Sequence, residues 1–225
     1  MKKALAVIMG LSFLAASGCA HVNTVKSRTG LERFQEENKP VRQLRVLCVV
    51  DRELDLSAMQ RIVSQASDLF QAQAGISFSI TESYRVDFDT SSMMDAEANR
   101  CLTRLWRSSQ GKHFDVAIGF LSNELIDQVV GYFFADYKGA IDDRYRRFII
   151  VKHKDVQTLL HEMAHAFILQ SDHSLFGLMN PMSLQVLPLL PEVNSGLYLS
   201  PEDRQHILDN KWRPFGPRLA EIMEP

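Results

Sequence analysis

The chain has 225 residues, a formal net charge of −2 and 46% hydrophobic residues. That length and composition fit one globular domain with a substantial core, plus short additions at its ends. The balanced charge leaves no electrostatic footprint for nucleic acid, and there is no internal repeat or low-complexity run to indicate an array or a fibre.

The amino terminus stands apart from the rest. Lys2 and Lys3 precede an apolar run from Ala4 to Ala16, followed by Ser17-Gly18-Cys19. A positive start, a short apolar stretch and small residues at a cleavage point describe a secretory signal, too short to span a membrane. Residues 14 to 19 (LAASGC) resemble the lipobox of bacterial lipoproteins, with Ala16 where that family has Leu. The resemblance implies a signal peptide over 1–18, lipid on Cys19, and a membrane-tethered protein on the periplasmic or surface side of the cell envelope. Ala20 beside the anchor implies the outer membrane by that family's sorting pattern. Without lipid on Cys19, the same segment implies plain secretion. Residues 19–42 are polar, mixed in charge and punctuated by Pro40, and are expected as a tether. Cys48 and Cys101 remain, in a compartment that permits disulfides. Their apolar settings suit buried thiols as well as a bridge.

From there the elements follow in order. Gln43 to Val50 (QLRVLCVV) predicts a buried strand. Between Leu56 and Ala74, Met59, Ile62, Val63, Ala66, Leu69 and Phe70 recur at helical spacing, with Asp55 as N-cap and Gly75 as the stop. Ile76 to Phe88 alternates and predicts a second strand. A helix follows through Met93, Cys101, Leu105 and Trp106, capped by Ser91 or Ser92. His113 to Leu121 predicts a third strand. Gly131 to Ala135 and Arg147 to Val151 predict a fourth and a fifth, around a turn at Lys138-Gly139. Arg144, Arg146, Arg147, Lys152 and Lys154 form a basic cluster broken by acidic residues, read as a solvated strand pair. This order predicts an α/β layer rather than a bundle.

The helix predicted from Val156 to Leu169 carries one apolar stripe: Val156, Leu159, Leu160, Met163, Ala164, Phe167 and Ile168. His161 and His165 fall off that stripe on one side and Glu162 on the other, so none of them is needed to fill the core. A polar, turn-rich loop runs from Gln170 to Pro191. A last helix starts at Ser200-Pro201, with Ser200 as N-cap and Pro201 in the first turn. The folded domain is expected over 43–212 and an irregular tail over 213–225.

His161-Glu162-Met163-Ala164-His165 is an HExxH pentapeptide. Two histidines four apart lie on one helix face, spaced to bind a single zinc ion, and the Glu between them stands near a water on that ion. A catalytic zinc needs three protein ligands and an open position. His173 is the next imidazole, and Gly177-Leu178-Met179-Asn180-Pro181 follows it.

With these features the chain resembles the metzincin clan of zinc metalloproteases, whose signature is HExxHxxGxxH followed by a turn containing Met. His161, Glu162 and His165 match the first half. Residues 177–181 look like the Met-turn of the matrixins, and Leu199 to Asp203 is similar to the start of their last helix. The resemblance covers about residues 43 to 212, upstream of the motif in architecture only. Two positions depart from the signature: Ile168 stands in place of the Gly, and Ser171 in place of the third His. His173, two residues further on, is assigned as third ligand by proximity rather than register, with the helix running to about Gln170.

The resemblance implies a mixed, twisted sheet of about five strands with a backing helix and an active-site helix, plus a small C-terminal subdomain with one helix. It also implies one catalytic Zn2+ on His161, His165 and His173, Glu162 as general base, and Met179 as a packing floor beneath the metal. Gly131, Tyr132, Phe133, Phe134 and Ala135 would border the cleft and pair with an extended peptide. The expected protein is a monomeric metalloendopeptidase acting on proteins or peptides at the bacterial envelope. Two alternatives stay open: a gluzincin-type site with Glu192 or Glu202 as third ligand, and a non-catalytic envelope protein of the same fold that binds a partner.

Overall fold

The computed structural model describes residues 34–88, 90, 94–122, 138–169, 177–179 and 196–216. Among these residues the chain forms one mixed five-stranded sheet and four helices, an α/β arrangement. The elements are β1 (Arg42–Asp51), α1 (Leu56–Ala74), β2 (Ile76–Val86), α2 (Met94–Ser108), β3 (Val116–Phe120), β4 (Gly139–Ile141), β5 (Phe148–Val151), α3 (Val156–His165) and α4 (Pro201–Asp209). The sheet order is β2-β1-β3-β5-β4. β1 runs parallel to β2 and β3, and β3 parallel to β5, while β4 closes one edge antiparallel to β5.

β1 sits inside the sheet and is apolar on both faces from Val46 to Val50, as a strand covered from two sides must be. Leu44, Val46, Cys48 and Val50 face a core built with α1 and α3, around Phe70, Phe120 and Phe167. Leu47 and Val49 face a smaller core under α2, with Leu105, Phe114 and Cys101. Cys48 and Cys101 therefore lie on opposite sides of the sheet, and no disulfide joins them. α1 begins where Asp55 accepts from the Ser57 amide and ends where Gly75 adopts φ 65°, its N–H donating to Gln71 O. A β-carbon at Gly75 would stand 2.1 Å from Asn38 O, so this stop also makes room for the chain leading into β1.

Residues 34–41, expected as the end of a tether, are docked on the domain. Phe34 is buried beneath the Arg204 guanidinium, 3.8 Å from its ring centroid, and Asn38 Nδ2 donates to Ala72 O at 2.9 Å. The one polar side chain it buries, Asn38, is spent on the end of α1. At the other terminus Arg213 and Phe215, placed by the sequence in the tail, are buried.

The strand expected at 131–135 lies outside the described residues. Gly139, expected in a turn, instead opens β4 and pairs with Val151. The turn comes later, where Asp142 accepts from the amides of Tyr145, Arg147 and Phe148. The basic cluster is not a solvated pair either. Arg147 stacks over Phe114 at 4.3 Å and donates to its carbonyl. Lys152 is 3% exposed, and its Nζ lies 3.5 Å from the carboxylate of Glu97 on α2.

Candidate metal centre

α3 begins at Asp155, whose carboxylate accepts from Thr158 N at 2.7 Å and Thr158 Oγ1 at 3.0 Å. The helix buries Leu159, Leu160, Met163 and Ala164 and packs against α1, β4 and β5. Its depth in the core fixes the helix about its own axis, and so fixes where 161, 162 and 165 point. His161 and His165, one turn apart, bring their Nε2 atoms to 3.2 Å of each other. Two nitrogens each about 2.0–2.1 Å from one tetrahedral ion stand about 3.3 Å apart, so the pair has the spacing of two ligands of a single zinc.

The tautomer supports the same use. His161 Nδ1–H donates to the carbonyl of Leu178 at 2.9 Å, which makes Nε2 the lone-pair nitrogen. The contact to His165 is then satisfied either by a proton on His165 Nε2 or by one cation accepting both lone pairs. Leu178 is itself held, because its amide donates to Tyr198 O at 2.8 Å. A β-carbon on Gly177, at φ 88°, would meet Tyr198 O at 3.0 Å and Ser200 N at 3.2 Å, so glycine lets the two segments touch. Gln73 on α1 holds the far segment of this contact. Its Oε1 accepts from Leu199 N at 2.7 Å and its Nε2 donates to Leu197 O at 3.0 Å. A chain of hydrogen bonds thus runs from the backing helix to the orienting nitrogen of His161.

Gln73 was not singled out from the sequence. Its signal was an amide in the apolar stripe, three residues after Phe70, where only a fully bonded polar group is tolerated. Met179 is 1% exposed and shares a core with Leu160, Met163 and Ala164.

Glu162 differs from its expectation. Placed off the apolar stripe by helical counting, it is 6% exposed. Burial pushes its carboxyl up to about 8. β4 covers it, and the close approach is made at Gly139: a β-carbon there would stand 2.8 Å from Glu162 Cγ and 2.9 Å from Oε1.

α3 also ends earlier than expected, at His165 rather than near 170. The amides of Ala166 and Phe167 close tight turns onto Met163 O and Ala164 O, and Phe167 and Ile168 are buried. The carbonyls this leaves are taken by arginines. Arg146 Nη1 donates to His165 O at 3.0 Å and also to Ile168 O. Arg213 Nε donates to Ala166 O at 2.6 Å.

His173, Cys19, Glu192 and the cleft residues 131–135 lie outside the described residues. Glu202 is exposed in the first turn of α4. Among the described residues no group of three or more His, Cys, Asp or Glu side chains could hold a metal, so His161 and His165 stand as a pair. Two imidazoles with convergent nitrogens and one fixed tautomer fit zinc in donor chemistry and spacing. Compared with known proteins, the chain matches no family's sequence model and no curated protein.

Proposed function

We propose that the chain is a zinc-dependent metalloendopeptidase of metzincin type, tethered to the bacterial envelope by lipid on Cys19. The observation that carries the reading is the 3.2 Å approach of His161 Nε2 to His165 Nε2, with Glu162 buried beside it on the same helix. His161, His165 and His173 would hold one zinc. In that site the ion supplies Lewis-acid chemistry, lowering the pKa of a water toward about 7 and polarising a peptide carbonyl.

The rest falls to groups of this protein. Leu178 O keeps the proton on His161 Nδ1. Glu162, screened from solvent by β4, takes the water's proton at its carboxylate and passes it to the leaving amine. The sheet order also supports the metzincin reading, because an antiparallel edge strand, β4, lies against the helix that bears HExxH.

The test is hydrolysis of an unstructured protein such as casein by the full chain, wild type beside Glu162→Ala. The expected result is zinc bound in both and turnover in the wild type alone. Equal turnover would overturn the assignment of Glu162. A wild type that binds zinc but cleaves nothing would favour the partner-binding alternative.

A further inference from the structure

In the signature that this chain resembles, a glycine ends the helix and bends the chain back to the metal, and here that position is Ile168. A helix without a left-handed residue after its last turn must find other donors for its terminal carbonyls. The residue after α3, Ala166, keeps right-handed angles at φ −65° and ψ −21°. The donors come instead from two arginines far away in sequence. Arg146, in the β4–β5 turn, reaches His165 O and Ile168 O with one nitrogen. Arg213, beyond α4, reaches Ala166 O with Nε, and its Nη2 donates to Tyr145 O at 3.1 Å and Arg146 O at 2.8 Å. The circuit is closed, since Arg213 holds the backbone of Arg146 while both side chains hold the end of the helix.

Three features set this apart from ordinary surface capping. Arg213 is 5% exposed and Arg146 is half-buried, so both guanidinium groups give up water for backbone carbonyls. Arg146 adopts φ 47°, a left-handed conformation that favours glycine, so an arginine there trades backbone ease for what its side chain does. Finally, one of the carbonyls gripped belongs to His165, whose imidazole meets His161 at 3.2 Å.

We propose that Arg146, braced by Arg213, is a positioning residue for the metal: its guanidinium fixes the backbone of His165 and the exit of the chain from α3, the task a glycine performs in the signature. The proposal rests on the metallopeptidase reading. It makes zinc affinity and ligand geometry depend on a side chain that touches neither metal nor substrate.

The test uses the full chain with Arg146→Gly and Arg146→Lys. Glycine suits the left-handed turn and removes the donors. Lysine keeps the charge but lacks the planar fork. Zinc affinity is measured by competition with a chromophoric chelator, and geometry by the visible spectrum of the cobalt(II)-substituted protein. The expected result is a zinc dissociation constant raised about 10–100-fold in Arg146→Gly, in the range of lost orienting partners, with an altered cobalt spectrum. Arg146→Lys should show a smaller change in the same direction. A merely structural role would lower the melting temperature and leave both readouts of the folded protein unchanged. Wild-type affinity and spectrum in either variant that folds would overturn the proposal, and Arg146→Lys decides it if Arg146→Gly does not fold. A wild-type chain that binds no zinc would overturn the metallopeptidase reading together with it.

Discussion

Gly139 and Glu162 are in contact across the β4–α3 boundary, so closely that a single methyl group on the glycine would overlap the carboxylate side chain. The backbone of Ile150 hems in the same space, its carbonyl 3.0 Å from where that methyl would stand. The side chain that can give way is Glu162. Gly139→Ala is therefore expected to leave zinc affinity near wild type and to lower kcat by an order of magnitude or more, with KM little changed. Steady-state kinetics beside a zinc titration checks this. A kcat equal to wild type would show that Glu162 does not depend on the opening at Gly139.

Gln73 predicts a different signature. Replacing it by Leu removes both bonds to the 197–199 segment and leaves buried backbone groups unsatisfied, at a cost of about 1–3 kcal/mol. Because that segment supports Leu178 and through it His161, Gln73→Leu is expected to weaken zinc binding as well as folding. Urea unfolding with and without zinc separates the two. The loss of stability should be larger with the metal present than without it.

The buried pair Lys152–Glu97 joins the end of β5 to α2, with side chains 3% and 2% exposed. Removing one partner takes a counter-charge from the other where both side chains are buried. Glu97→Met or Lys152→Met alone is expected to cost about 3–5 kcal/mol, whereas replacing both partners by Met costs far less. Denaturant unfolding of the two single variants and the double variant measures the difference. Additive losses would show that the two charges do not act as a pair.

Asp115 links stability to pH. Burial acts to raise its carboxyl, but the Arg45 side chain, the Arg45 amide and the charges of Arg45 and Arg42 outweigh it and hold the group below the ordinary aspartate range. A carboxyl lowered by folding stabilises the protein above its unfolded pKa of about 3.9, and that contribution is lost as the pH falls further, toward the folded value. Asp115→Asn should accordingly be less stable than wild type at neutral pH, with the gap closing below about pH 4. A gap that stays constant from neutral to strongly acidic pH would contradict the coupling to Arg45.

Much of the fold could be read from local pattern. α1 follows from Asp55, the stripe from Met59 to Phe70, and Gly75, all within one stretch of chain. β3, β5 and the stretch of β1 from Val46 to Val50 were legible because strands covered on both faces are apolar on both. What escaped depends on distant partners. β4 has three residues and starts on a glycine, so no periodicity could reveal it. The burial of Glu162 follows from that strand and not from the helix it sits on. The end of α3 is set by residues 146 and 213, which no reading of 156–170 could supply. His161 and His165 were legible because their spacing is a property of any helix. His173, the proposed third ligand, lies outside the described residues.

The most direct test of the central claim is the zinc content of the full chain after exhaustive dialysis, with wild type beside His161→Ala and His165→Ala. The account predicts one zinc per wild-type chain, coordinated through imidazole nitrogen at about 2.0–2.1 Å by X-ray absorption, and none retained by either variant. A wild-type protein that holds no zinc, or variants that hold it as firmly as the wild type, would contradict it.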